Sequence, residues 1–202
     1  IEQLAARGQV NDAINEYLDL ADIYYRLAEL DMARKTYTRA LRFVQQANAD
    51  HVWNVHILQL MADIDMQKLD WKQALRIFEQ IRTLRPEDET IRKNLIELNL
   101  RMAHPDQALA ELENYLTYLE GHRGGKEAIP LLEDLLIEHG NESALRRILA
   151  TLYQQAGRTR DAIAQLDTVG VSLLKAGNRD GAAAAINQIL MQDPPNAEAY
   201  RK

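Results

Sequence analysis

The chain has 202 residues, 47% of them apolar and 27% charged, with a formal net charge of −6. It is too apolar for a disordered polymer and too acidic for non-specific binding to nucleic acid or an anionic membrane, both of which select a basic face. Leu occurs 29 times and Ala 27 times against six Val, with only nine Gly and five Pro. That alphabet belongs to helices; it excludes a β-sandwich and a collagen, and it disfavours a Rossmann-type enzyme, which needs Val/Ile strands and Gly-rich loops. There is no cysteine, so disulfides, thiolate nucleophiles and Cys-bound metals are out, which fits a cytoplasmic setting. No apolar run approaches the roughly 20 residues that span a bilayer, so membrane insertion is not expected.

Apolar periodicity predicts eleven helices, in chain order at about 2–7, 11–28, 31–47, 51–67, 71–83, 88–102, 105–120, 125–138, 142–156, 159–175 and 179–191. Asp31, Asp70, His104, Asn141 and Asn178 stand where N-caps belong, and Pro105 suits a first helical position. In 142–156 the apolar stripe runs through Leu145, Ile148, Leu149, Leu152, Tyr153 and Ala156, the spacing of one helical face. The helix at 11–28 is apolar on a second face as well, through Leu18, Ile23 and Tyr25, which predicts burial between layers. Gly121-His-Arg-Gly-Gly125 reads as the most flexible connection.

A repeat runs through these helices. Ala74, Phe78 and Ile81 recur 34 residues later as Ala108, Leu112 and Tyr115. The same small–large–large spacing appears at Ala33/Tyr37/Ala40, Ala128/Leu132/Leu135, Ala162/Leu166/Val169 and Ala182/Ile186/Ile189. A small residue at one recurring position lets two helices approach closely, and a larger one would overpack. From Ala13 the steps between key alanines are 20, 41, 34, 20, 34 and 20 residues. A 34-residue step holds two helices and a 20-residue step only one. The helices at 11–28, 105–120 and 159–175 would therefore each close one repeat and open the next. The 41-residue step adds seven residues near Gln45–Val52, as longer helix or as loop.

Leu149-Ala150-x2-Tyr153, Gly157 and Ala162-x3-Leu166 resemble the signature of the tetratricopeptide repeat. So do Leu20-Ala21-x2-Tyr24 with Ala33-x3-Tyr37-x2-Ala40, and Pro86 and Pro194 at the repeat-ending position. Asp193 to Tyr200 resembles the opening of another repeat. The resemblance implies an all-α fold, an α-solenoid of stacked antiparallel helix pairs wound as a right-handed superhelix. It is read as a single domain over 1–202, with Ile1 and Lys202 suggesting a piece of a longer protein. It implies a scaffold for protein–protein interaction rather than an enzyme, with no cofactor.

In proteins of that kind the first helix of each repeat lines a groove. The equivalent positions here are Asp22, Asp63 and Glu97, with Tyr25, Met66 and Leu100 three residues on. This would be a ladder of carboxylates beside an apolar strip, suited to a protein or peptide segment with basic and apolar side chains. Lys93 lies on the same helix as Glu97, and Arg147, Thr151 and Gln154 are the groove candidates of the later repeats. The plainer alternative is that Asp22–Arg26 and Glu97–Arg101 are i, i+4 pairs that solvate a helix, and that Tyr25, Met66 and Leu100 belong to the core. The Lys/Asn/Arg clamp with which some relatives hold a chaperone tail is not expected. Its positions here hold Leu18/Asp22, Gln59/Asp63 and Lys93/Glu97, and only Lys93 fits.

No nucleotide loop, nucleophile elbow or zinc-protease motif is present. His51 and His56 with Asp63 or Asp65 are the nearest approach to a metal set, and their spacing is poor for ligands on one helix face. Asn141-Glu-Ser143 fits a glycosylation sequon but sits at a helix start. Arg146/Arg147 and Arg158/Arg160 make a basic spot, with Glu142 and Asp161 near enough to neutralise it. Self-association through terminal helices, or a regulatory role beside a domain outside this stretch, are the rival functions.

Overall fold

The computed structural model describes residues 1–192, 194 and 197–201, the last of these by its backbone alone. Asp193, Pro195, Asn196 and Lys202 fall outside the described residues, and with the first three of them goes part of the segment read as a repeat opening. Among the described residues every regular element is a helix. The chain divides into two compact units, Ile1–His104 and Pro105–Lys202.

The first unit runs α1 (Glu2–Ala6), α2 (Val10–Arg26), α3 (Leu30–Gln46), α4 (His51–Gln67), α5 (Trp71–Leu84) and α6 (Glu89–Arg101), each helix packed on the next. Its core is one cluster that includes Ile14, Tyr37, Ile57, Ile64, Phe78 and Leu95. Ala13, Ala33 and Ala74, the small residues of the repeat, have no exposed surface at all. That is the close approach the spacing calls for: the neighbouring helix fills the space a larger side chain would need. The seven extra residues of the long step are taken up as helix. Both α3 and α4 run 17 residues, against 14 in α5 and 13 in α6, and only 47–50 remain as connection.

The second unit runs α7 (Pro105–His122), a 3-10 turn (Gly125–Ala128), α8 (Ile129–Glu138), α9 (Ser143–Gln155), α10 (Thr159–Lys175), α11 (Arg179–Leu190) and α12 (Ala197–Arg201). Ala108, Ala128, Ala162 and Ala182 are again shut off from water, at no more than 1% exposure. The expected helix at 125–138 is split in two. Pro130 occupies the first turn of α8 and has no N–H to continue a helix from the preceding turn. α10 packs extensively on both α9 and α11, as a helix shared between repeats should.

Two expectations fail at helix ends and on one face. Asp70 and Asn178 do cap, accepting from Gln73 N and Gly181 N, but Asp31 lies inside α3 and the residue before α9 is Glu142 rather than Asn141. Asp50 and Asp88 are caps that the apolar pattern did not mark. The second apolar face of α2 is not buried between layers. Leu18 packs on the core, but Ile23 is 54% exposed and Tyr25 37%.

Candidate functional site

In the first unit α2 and α4 run side by side in the same direction. Trp53 Nε1, in the first turn of α4, donates to Asn11 Oδ1 in the first turn of α2, at 3.2 Å. At the far ends Gln67 Nε2 donates to the Tyr25 hydroxyl. Side chains about 42 positions apart thus share a level, and Asp22, Tyr25 and Asp63 all lie close enough to Tyr37 of α3 to act on it electrostatically. The Tyr37 ring is buried, and its hydroxyl makes no hydrogen bond among the described residues. Burial raises its phenol above the usual tyrosine value, and the negative potential of Asp22, Tyr25 and Asp63 raises it further.

The two carboxylates differ. Asp22 already holds Arg26 at 2.6 Å, an exposed i, i+4 pair that contributes a few tenths of a kcal/mol. Asp63 has no cation within ion-pair distance among the described residues. Its surroundings exclude enough water to hold its carboxyl above the ordinary carboxylate range, although the residue as a whole remains exposed. A carboxylate that is partly dehydrated and has no counter-ion is poised to gain from a cation.

The remaining predicted residues sort themselves plainly. Met66 is half-buried against the core cluster of this unit. Tyr25 is 37% exposed, so it is surface rather than core. Glu97 has Lys93 at 3.9 Å on its own helix, so the third rung of the ladder is already partnered, and Leu100 is half-buried. The metal set dissolves. Asp65, buried, receives a two-pronged grip from Arg34, with Nε–Oδ1 and Nη2–Oδ2 both 3.0 Å. No group of three or more metal-type ligands is found among the described residues.

Arg147, Thr151 and Gln154 come together in the second unit. They line a cleft of about 340 Å³ with Leu166 of α10, Gln188 of α11 and Gln192 beyond it. Of the basic spot, Arg146 is structural, donating from Nε to Gly140 O at 2.9 Å and from Nη1 to Gln165 Oε1 at 2.6 Å. Arg158 is tied to Asp161 at 2.6 Å and to Glu133 at 3.3 Å, and lies 4.2 Å over the Tyr153 ring. Arg147 has no such partner: its Nε is closed to water and unbonded. The Gln192 Oε1 is in the same state. Buried groups that lack a bond are uncommon and each costs about 1–3 kcal/mol. Sequence spacing alone does not separate Arg147 from its neighbour Arg146, because which of the two finds an acceptor depends on the 140 turn and on α10.

Residues 12–87 match the model of the tetratricopeptide repeat, and that stretch belongs to the family. The repeat serves in general as a protein–protein interaction scaffold. Among solved structures, BtubC (BKLC) from P. vanneervenii is 17% identical, with 95% of this chain and 85% of that chain covered, and superposes with a TM-score of 0.52. It shares the all-α fold. YrrB, described as a TPR protein with an unusual peptide-binding site, is also 17% identical, over 95% of this chain and 96% of that one, with a TM-score of 0.43. No curated protein matches the chain. No helix among the described residues is long and apolar enough to cross a membrane.

Proposed function

We propose that the chain is a non-catalytic scaffold whose first unit binds a basic and apolar protein segment along α2 and α4. The observation that carries this is Asp63, a partly dehydrated carboxylate without a cation, on a register that places Asp22 and the unbonded Tyr37 hydroxyl beside it. A lysine or arginine of the partner would supply the missing counter-charge, and the carboxylates and phenol oxygen would accept its N–H groups. Tyr25 and Met66 offer apolar surface next to that charge. The face is largely built before the partner arrives, so less ordering is needed on binding. The cysteine-free, acidic composition supports a cytosolic setting for such a scaffold.

A peptide alternating Lys and Leu is a suitable probe. Calorimetric titration should show binding that weakens with salt and falls about tenfold, roughly 1.4 kcal/mol, in Asp63→Asn. Equal affinity in the wild type and Asp63→Asn refutes the reading. The rival, self-association, has one observation behind it: Leu20 and Ile23 on α2 and Leu27 at its C-cap are exposed. A solution mass that stays monomeric as concentration rises removes that rival.

A further inference from the structure

We propose that the cleft formed by α9, α10 and α11 binds an acidic side chain of a partner segment, with Arg147 as the residue that holds it. The preference is the reverse of that assigned to the first unit, and the two sites share no residue. Four observations converge. Among the described residues the lining contains one cation, Arg147, and no Asp or Glu. Arg147 has no ion pair among the described residues, while the nearby Arg146 and Arg158 are engaged. Its Nε–H is an unused donor, and the Gln192 Oε1 on the same cleft is an unused acceptor. Gln192 is oriented by its Nε2, which donates to Gln188 O at 3.3 Å, so the oxygen is the atom left over.

Both atoms are closed to water as they stand, so a peptide segment complements them once its entry shifts the side chains that cover them. A side-chain carboxylate fits the planar guanidinium fork in a way an ammonium host would not reproduce. The main-chain N–H of the same or the next residue can satisfy the Gln192 oxygen. Ala150 and Leu166 give the cleft an apolar floor, and Met191, 84% exposed at its edge, can fold over whatever enters. The volume of about 340 Å³ is near the small end of ligand sites, enough for one or two side chains rather than a whole helix. Thr151 does not compete for the ligand, since its hydroxyl donates to Arg147 O at 3.1 Å.

The test uses the whole chain and two capped peptides, acetyl-Gly-Leu-Asp-Leu-Gly-amide and its Asn counterpart, followed by NMR at the Arg147 Nε–H and Met191 methyl signals. The Asp peptide should shift both signals and bind about tenfold more tightly than the Asn peptide. Arg147→Gln should erase that preference, and Arg147→Lys should keep part of it. Because the wild-type Nε–H signal reports directly, the outcome does not depend on a variant folding. Equal affinity for the two peptides overturns the proposal, as does an unchanged preference in Arg147→Gln. Inorganic phosphate displacing the Asp peptide at matching concentration also overturns it, since the site would then be a simple anion site.

Discussion

Both units end helices with the same backbone turn, but beyond Gly8 after α1, at 74°, the first unit builds it without glycine, and the contrast is informative. In the first unit Ala28, Asn48, Leu69 and Ala103 all adopt positive φ, between 46° and 60°. In the second unit the equivalent turns use Gly157 at 74° and Gly177 at 76°. The hydrogen bonds are alike. Ala28 N bonds Tyr25 O and Glu29 N bonds Tyr24 O, just as Gly157 N bonds Gln154 O and Arg158 N bonds Tyr153 O. A side chain in the left-handed region costs about 1–2 kcal/mol. In the first unit packing imposes the turn against local preference, and in the second the residue itself favours it. The stabilising contacts differ in the same sense. The first unit clamps α3 to α4 through Arg34 and Asp65, and the second ties α8 to α9 through Tyr153 and Glu133.

The largest effect should come from breaking the first clamp. Asp65→Ala leaves the partly buried Arg34 without its carboxylate, and the urea midpoint should drop by the equivalent of about 3 kcal/mol. Next come the small residues common to both units. Ala33→Leu and Ala162→Leu should each cost about 2 kcal/mol through overpacking. Ala164→Leu, on the exposed side of α10, should change the midpoint by under about 0.5 kcal/mol. Equal costs at Ala162 and Ala164 would contradict the nesting of helices on small residues.

The turn contrast itself is sharpened by exchange. Leu69→Gly should stabilise by about 1 kcal/mol, and Gly157→Ala should destabilise by a similar amount. Thermal unfolding of the two variants should therefore shift in opposite directions. Tyr153→Phe removes the 2.6 Å bond to Glu133 and should cost about 1 kcal/mol. Burial, and then that bond, push the Tyr153 hydroxyl up to about 12, so Tyr153→Phe should remove a late-ionising phenol from the absorbance titration.

The smallest effect concerns pH. The Asp63 carboxyl is raised in the folded chain, so the folded state holds its proton more tightly than the unfolded one. The contribution to stability is present below the unfolded carboxylate value and is lost as pH rises through the folded one. Asp63→Asn should accordingly flatten the fall in stability across the carboxylate range, without altering the midpoint in strong acid.

Most of the helices were legible from apolar spacing, and the seven recurring alanines marked the tightest packing. That works because a close helix approach restricts residue size at single positions, which leaves a mark in sequence. The turns at Ala28, Leu69 and Ala103 left none, since their geometry comes from the packed helices on either side. The functional face was legible in part. Spacing picked out Asp22 and Asp63, and the register of α2 and α4 does bring them to one level. It could not show that Asp22 is neutralised by Arg26 and Glu97 by Lys93 while Asp63 stands without a cation, nor that Tyr37 presents an unbonded hydroxyl beside them. Those distinctions depend on side-chain placement across helices.

The account rests most directly on the state of Asp63, which carbon-13 NMR of its carboxyl can follow through a pH titration with and without the Lys–Leu peptide. The account predicts a carboxyl that titrates above the ordinary aspartate range when free and moves below its free value when the peptide is bound. A carboxyl that titrates at the ordinary aspartate value, or one that the bound peptide leaves unmoved, would contradict it.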